Sequence, residues 1–319
     1  VVEAVGASNS NDATATDAAP NEVVGLHAPR AWRRDRDDFL ASLHHTPFDV
    51  VVLCTPDQTQ VDLAAAAMAS GAHVVATADS LQTRGQFSEL DDLARQHGLS
   101  VVVGAAMSPA LSTVLALHAA TLFDPVLAVS VGLAGFWGKE CRERRRLVRT
   151  DAIDIRAGEE IRYPKGSGRE VLFFPDPLGG LECERDDFLD AVEIFGALTR
   201  RENATSKGTP ENMVDVSVRV VTTPVVRGHG HGRGVPAESG GLRVEVSGRT
   251  ARTLSSVVYG LVGDPVDLSA IVSAVAARRL VRGHGPTGVI GVHELGSPKE
   301  LLADFIEAGI APMVYEGPD

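Results

Sequence analysis

The feature that most restricts the fold is an alternation of apolar runs and helix-forming segments between residues 48 and 123. "FDVVVLC" (48–54), "AHVVATA" (72–78) and "LSVVVGAA" (99–106) are nearly continuous apolar runs, the pattern of parallel strands covered on both faces. Between them, "TQVDLAAAAMASG" and "QFSELDDLARQHG" read as helices that end at Gly71 and Gly98. "SPALSTVLALHAATLF" (108–123) opens a further helix, with Ser108 as N-cap and Pro109 at the first helical position. Strands alternating with helices of this length define βαβ units and a parallel sheet.

Upstream, "VVEAVGA" (1–7) and "EVVGLHA" (22–28) are short strands, and "RDDFLASLHH" (36–45) is a helix with Phe39, Leu40 and Leu43 on one side and Asp35 as its cap. The polar stretch "SNSNDATATDAAPN" (8–21) has no helical period. In a doubly wound sheet the central first strand feeds a glycine turn and a helix whose N-terminus holds a pyrophosphate. "VVEAVGA" is either that central strand, followed by a loop that cannot supply the helix, or the second strand of a sheet whose first βα unit lies upstream. The second placement is preferred; the chain begins Val1-Val2-Glu3 without methionine. On that placement residues 1–319 alone are expected to bind a dinucleotide poorly. Their sheet is then expected to show an unfilled or makeshift position beside residues 48–54.

After Phe123 the pattern changes. "PVLAVSVGLAG" is strand-like, "AIDIRAGEEIRYP" predicts a hairpin turning at Ala157-Gly158-Glu159, and "REVLFFP" follows as a strand. "VDVSVRVVTTP", "LRVEVSG" and "TLSSVVYGLV" alternate apolar and polar residues, as half-exposed antiparallel strands do. "DLSAIVSAVAARRLV" and "SPKELLADFIEAGI" are helices, the second capped by Ser297 and Pro298. The expected architecture is α/β: a Rossmann-like parallel domain over 1–122, N-terminally incomplete, then an α+β domain with a mainly antiparallel sheet over 123–285. Residues 286–319 are expected to pack back on the first domain.

A formal charge of −12 argues against nucleic acid or an anionic membrane as main partner, because both need a basic surface. Three scattered cysteines, Cys54, Cys141 and Cys183, form no ligand-spaced pair and suit a reducing cytoplasm better than a disulfide framework. No apolar run reaches the roughly 18 residues of a membrane helix.

The blocks "DVVVLCTPDQT", "AAAAMASGAHVVATAD" and "VVVGAAMSPALSTVLA" resemble the saccharopine dehydrogenase-like oxidoreductases, within the wider glucose–fructose oxidoreductase/inositol dehydrogenase group. "GSGREVLFFPDPLGGLEC" and "GVIGVHELGSPKELLADFIEAGI" are similar to one branch of the same family. The resemblance covers nearly the whole chain. It implies an N-terminal NAD(P)-binding domain and a second domain whose sheet covers the nicotinamide and supplies the substrate site. Two departures stand out. The glycine fingerprint is absent, and Ala78-Asp79-Ser80 stands where the inositol dehydrogenase group carries Glu-Lys-Pro, which argues against sugar oxidation and leaves the catalytic acid or base unassigned.

Open α/β sheets bind ligands outside the carboxyl ends of their strands. That points to Thr55, Pro56 and Asp57, with Thr55 bonding a cofactor hydroxyl or phosphate and Pro56 lining the nicotinamide side. The competing reading is that Thr55 or Asp57 caps the next helix. Thr77, Ala78 and Asp79 stand one strand on. On the preferred placement Ser8 and Asn9 sit at the end of the second strand, where an acidic residue would bind a ribose 2′-hydroxyl and repel a 2′-phosphate, and Arg30, Arg33 and Arg34 are near in sequence; together these lean toward NADP over NAD. In the second part Arg169, Asp176, Glu182 and Cys183 are the candidates for substrate binding and proton transfer, against a plain hairpin with surface ion pairs. His229 and His231 lie in the glycine-rich loop "RGHGHGRGVPAESGG", and His284 in a second "RGHG"; with no third ligand at fixed spacing, no metal site is expected. His293 and Glu294 form a further pair. "GLAGFWG" (Gly132, Gly135, Gly138) mimics a nucleotide loop but lacks a following amphipathic helix.

The reading is an NAD(P)-dependent oxidoreductase moving a hydride to or from a small, amino- or oxo-acid-type substrate, and pairing with a second copy through its second-domain sheet. The alternative is a non-catalytic binding or scaffold relative that has lost the cofactor loop.

Overall fold

The structure is a computed structural model that describes residues 2–6, 23–27, 32–45, 47–135, 151–205, 214–221, 240–251 and 253–315. The chain divides into two units, Val1–Ala105 with Ser273–Gly296, and Ala106–Val272 with Ser297–Asp319.

The first unit runs β1 (Val2–Gly6), β2 (Val23–His27), α1 (Trp32–His45), β3 (Val50–Cys54), α2 (Asp57–Ala69), β4 (His73–Ala76), α3 (Leu81–Ser88), α4 (Asp91–Gln96) and β5 (Ser100–Val103). Its six strands are all parallel, in the order Gly288–Gly291, β5, β4, β3, β1, β2. Residues of both strand faces are buried: Val51, Leu53, Val74 and Ala76 on one side, Val50, Val52 and Val75 on the other. This is why the strands read as continuous apolar runs rather than as alternation. Leu63, Ala64, Ala67 and Met68 of α2 pack into the same core as Val51, Leu53 and Val74, together with Phe39 and Phe87. Burying Leu63 there stabilises the unit by roughly 1.5–3 kcal/mol, and the small alanines beside it let the helix lie close to the sheet.

Three expectations are corrected here. Val2–Gly6 pairs directly with Val50–Cys54 in continuous register, so the central placement holds and the position beside β3 is filled rather than makeshift. The physical reason is that β3 needs a hydrogen-bonding partner on that side, and a five-residue apolar strand satisfies it. The helix expected over 86–98 is two helices, because Ser80 caps a start at Leu81 and Asp91 opens a second helix whose Oδ1 accepts the Val289 N–H at 2.7 Å. Asp35 lies inside α1, which starts at Trp32, and is not its cap. Gly71 and Gly98 close their helices with φ of +90° and +68°, as read from the sequence.

The second unit begins with a turn of π-helix, Met107–Leu111, and continues through α5 (Ser112–Ala119), β6 (Val126–Ala134), β7 (Ala152–Arg156), β8 (Glu159–Tyr163), β9 (Glu170–Phe174), β10 (Gly179–Cys183) and α6 (Asp190–Thr205). Then come β11 (Asp215–Val220), β12 (Gly240–Thr250), β13 (Thr253–Gly263) and α7 (Pro265–Val281), whose residues from Ser273 belong to the first unit, as does β14 (Gly288–Gly291); α8 (Pro298–Glu307) and β15 (Met313–Tyr315) are again of the second. Its seven-stranded sheet has the order β15-β13-β12-β6-β11-β7-β8. The β7–β8 turn is at Ala157 and Gly158, both with positive φ, and α8 carries the capping box of Ser297 and Glu300. β11 corrects the antiparallel expectation: it runs parallel to β6. Alternation reports a half-buried strand but not its direction, and a strand reached through a helix such as α6 is free to run parallel.

Val129 and Val131 of β6, Val216 and Val218 of β11, and Val244 and Val246 of β12 are buried on the face that meets α5 and α6. The β9–β10 hairpin packs over glycines of the same sheet. A Cβ on Gly132 would lie 2.9 Å from Leu172, one on Gly241 2.5 Å from Leu178, and one on Gly260 2.5 Å from Pro175. Gly132 of the "GLAGFWG" motif is therefore a seat for the hairpin; Gly138 lies outside the described residues.

The boundary expected at 122/123 falls at 105/106, because α5 packs on α6, α8 and β12. The expected C-terminal segment is shared out: β14 extends the first sheet, whereas α8 and β15 join the second unit. Among the described residues no helix is long and apolar enough to cross a membrane.

Candidate functional site at the carboxyl ends of β3 and β4

From β1 the chain passes to β2 on one side and then returns to β3 on the other, so the β1/β3 junction is the switch point of the sheet. Ligands of open α/β sheets lie outside the carboxyl strand ends at such a point. Cys54, Thr55 and Pro56 leave β3 there and enter α2 at Asp57; Thr77, Ala78 and Asp79 leave β4 and enter α3 through Ser80.

Gln60 joins these two turns. It is fully buried, and its Nε2 donates to the Thr55 carbonyl at 2.5 Å and to Thr77 Oγ1 at 3.2 Å. Its Oε1 accepts the Ala78 N–H at 3.2 Å. Thr77 Oγ1 in turn donates to the Leu53 carbonyl at 3.1 Å. A second bridge runs from Ser80 Oγ to Thr83 Oγ1 at 2.9 Å and on to Asp57 Oδ2 at 3.4 Å. Thr59 Oγ1 stands 2.7 Å from the Pro56 carbonyl and 3.2 Å from Thr55 Oγ1. The threonine has one proton, and the nearer carbonyl takes it.

The predicted site residues thus divide. Thr77 and the Ala78 N–H are engaged within the protein, holding the turn. Thr55 is buried, whereas Pro56, Asp57 and Asp79 are half-buried at the rim. The capping alternative for Thr55 and Asp57 fails: the N-cap is Pro56, and no side chain caps α2. The Thr59 N–H donates to the Pro56 carbonyl at 3.0 Å, and the amides before it, with no side-chain cap, are the donors at this helix end suited to an anion. Cys54 ends β3 with its side chain exposed, yet the protein crowded around it pushes the thiol up to about 11. Ser8, Asn9 and Arg30 lie outside the described residues; Arg33 and Arg34 fall in α1.

Gln60, Ser80 and Thr83 were missed in the sequence reading. Gln60 was legible in principle, since residues 60, 63, 64 and 67 share one helical face and the other three are apolar core.

The second-unit candidates occupy different surroundings. Arg169 is exposed and pairs with Glu182 Oε1 at 3.3 Å and Glu184 Oε2 at 3.2 Å. Asp176 is exposed at the hairpin turn, and Cys183, the last residue of β10, is buried beside Leu172 and Phe174 with its thiol pushed up to about 12 by desolvation. The hairpin with surface ion pairs describes Arg169 and Glu182. Ser108, read as an N-cap, instead donates its hydroxyl to the buried carboxylate of Asp190 at 2.5 Å, with Ser112 on the other oxygen. His284 is exposed, its Nδ1 3.3 Å from the Arg279 carbonyl. His293 Nε2 lies 3.9 Å from Glu294, whose carboxylate accepts the Gly291 N–H. His229, His231 and Cys141 are outside the described residues, and among those described no group of three ligands could hold a metal ion.

No family's sequence profile matches the chain, and no curated protein is similar to it in sequence. Solved structures do match. Saccharopine dehydrogenase (L-Glu forming) from Saccharomyces cerevisiae superposes over 92% of this chain and 89% of its own, at 10% identity and a TM-score of 0.53. The fold is therefore shared with that enzyme. A DAP dehydrogenase of C. glutamicum (14% identity, 96% and 98% covered, TM-score 0.44) and an engineered D-amino acid dehydrogenase bound to NADP+ (16%, 96% and 98%, 0.43) match more loosely and add nothing to that assignment.

Proposed function

We propose that the protein is an NAD(P)-dependent oxidoreductase that transfers a hydride to or from a small amino- or oxo-acid-type substrate. The observation that carries this reading is the switch point at β1/β3. There an uncapped α2 N-terminus and the Gln60-locked Thr55-Pro56-Asp57 turn stand together at the carboxyl edge of a parallel sheet. The residues fit a nicotinamide dinucleotide. Amides of the first turn of α2 face a phosphate, Thr55 and Pro56 line the nicotinamide side, and Asp79 stands on the neighbouring rim. The cofactor supplies the hydride chemistry, and the protein orients it and excludes water. With β1 central, Ser8 and Asn9 do not follow the second strand and do not bear on the ribose; the arginines at 30, 33 and 34, which come after β2, favour the 2′-phosphate of NADP. The substrate class is in keeping with the name of the yeast neighbour. Pairing of two copies through the second-unit sheet belongs to the same reading.

Fluorescence titration of the full-length natural chain with NADPH and NADH is the test. Saturable quenching with NADPH preferred is the expected result. No binding of either dinucleotide would favour the second reading, a binding or scaffold protein that keeps the fold; the engaged Thr77 and Ala78 groups are the observation on its side.

A further inference from the structure

Gln60 sits where α2 otherwise presents apolar side chains to the core: Leu63, Ala64 and Ala67 share its face. A buried amide among them gives up hydration that a leucine or methionine would not, so its presence costs free energy unless each polar atom finds a partner. All of them do, and the partners belong to two different turns: the Thr55 carbonyl after β3, and Thr77 Oγ1 and the Ala78 N–H after β4. Thr77 Oγ1 also reaches back to the Leu53 carbonyl, so the second turn is held to both β3 and α2.

From this we infer that Gln60 is the positioning residue for the nicotinamide half of the dinucleotide, setting the spacing between the Thr55-Pro56 wall and the Ala78-Asp79 wall. The inference rests on the oxidoreductase reading. In a doubly wound sheet the two nucleotide halves lie on opposite sides of the switch point, the adenosine half beyond the strand after β1 and the nicotinamide half over the later strands. A side chain that joins only the ends of β3 and β4 therefore acts on one half of the ligand. Gln60 touches neither the cofactor nor the substrate; it acts through the turns it holds.

The experiment compares NADPH with adenosine 2′,5′-bisphosphate, which carries only the adenosine half, on wild-type full-length protein and on Gln60→Met. The methionine keeps the length and removes the three hydrogen bonds. The expected result is a loss of about tenfold or more in NADPH affinity, because the three hydrogen bonds that hold the two turns are gone, with the bisphosphate changed less than about twofold. An unchanged NADPH affinity overturns the inference, and so does an equal loss of both ligands, which would mark Gln60 as a structural residue only. Should Gln60→Met fail to fold, Thr77→Val removes one Gln60 partner, and the Leu53 bond, at a half-buried position while keeping the side-chain shape. An NADPH-specific loss of about threefold is then expected, and no loss overturns the inference. If the wild type prefers NADH, NADH and AMP replace the two ligands. Wild-type protein that binds neither dinucleotide removes the oxidoreductase reading itself, a result distinct from wild-type binding with an indifferent variant.

Discussion

Asp154 and Arg219 form a buried ion pair between β7 and β11: Nη1 donates to Oδ1 at 3.0 Å, and neither side chain is more than 5% exposed. Two further guanidinium groups converge on the same carboxylate, Arg185 Nε at 2.9 Å and Arg156 Nη2 at 3.0 Å. Arg185 also stacks on the Tyr163 ring at 4.1 Å. Glu170 stands 2.7 Å from Arg219 Nε, an ion pair by distance in which the N–H does not point at the oxygen. Removing one partner of such a pair leaves an uncompensated buried charge. Asp154→Ala should therefore cost about 3–5 kcal/mol in urea denaturation. Arg156→Ala, whose side chain is 36% exposed, should cost under about 1 kcal/mol. An Asp154→Ala protein as stable as wild type would show that the cluster contributes no net stability.

Two glycines should respond oppositely to alanine. A Cβ on Gly248 of β12 would come within 2.6 Å of both Phe123 Cβ and the Pro125 carbonyl oxygen, and a backbone oxygen cannot step aside. Gly248→Ala should lose about 1–3 kcal/mol. Gly85 lies within α3 with nothing inside 4 Å of an added Cβ, so Gly85→Ala should gain about 0.4–1 kcal/mol by restricting the unfolded chain. Melting temperatures of the two variants that move together would contradict this packing.

His73 makes stability depend on pH. Its Nδ1 accepts the Ser100 N–H at 3.0 Å, which ties the starts of β4 and β5 and requires the neutral ring. Burial lowers its pKa below the ordinary imidazole value, with the Asp49 carboxylate pulling the other way. The unfolded chain thus takes up the proton first. The His73 contribution is present above about pH 6.5 and is lost as pH falls from there through the lowered folded value. Wild type should show a steeper fall in melting temperature across that window than His73→Gln, and parallel curves would remove this role.

Cys183 should be chemically silent in the native protein. Its thiol is buried and pushed up to about 12, mainly by desolvation, so very little thiolate exists near neutral pH. Disulfide-exchange labelling at pH 8, read by peptide mapping, should modify Cys183 only after unfolding. Rapid native labelling would restore it as a nucleophile candidate.

The parts of the structure legible beforehand were those that local chemistry dictates. Gly71 and Gly98 end helices because a left-handed residue costs glycine little, and Ala157-Gly158 turns the β7–β8 hairpin. The candidate site was legible by position, at Thr55–Asp57 and Thr77–Asp79, but not by role. Ser108 shows why: its sequence context is that of a helix cap, yet its hydroxyl goes to Asp190, 82 positions away.

The sequence by itself determined that the first half is a parallel sheet buried on both faces, since uninterrupted apolar runs between helices have no other stable arrangement in water. Only the tertiary structure decided that β1 pairs with β3, that β11 runs parallel to β6, and that Gln60 closes the two turns. Hydrophobic periodicity records how deeply each residue is buried. It does not record which distant backbone or side chain answers a given hydrogen-bonding group, and those long-range pairings set the strand order and the geometry of the site.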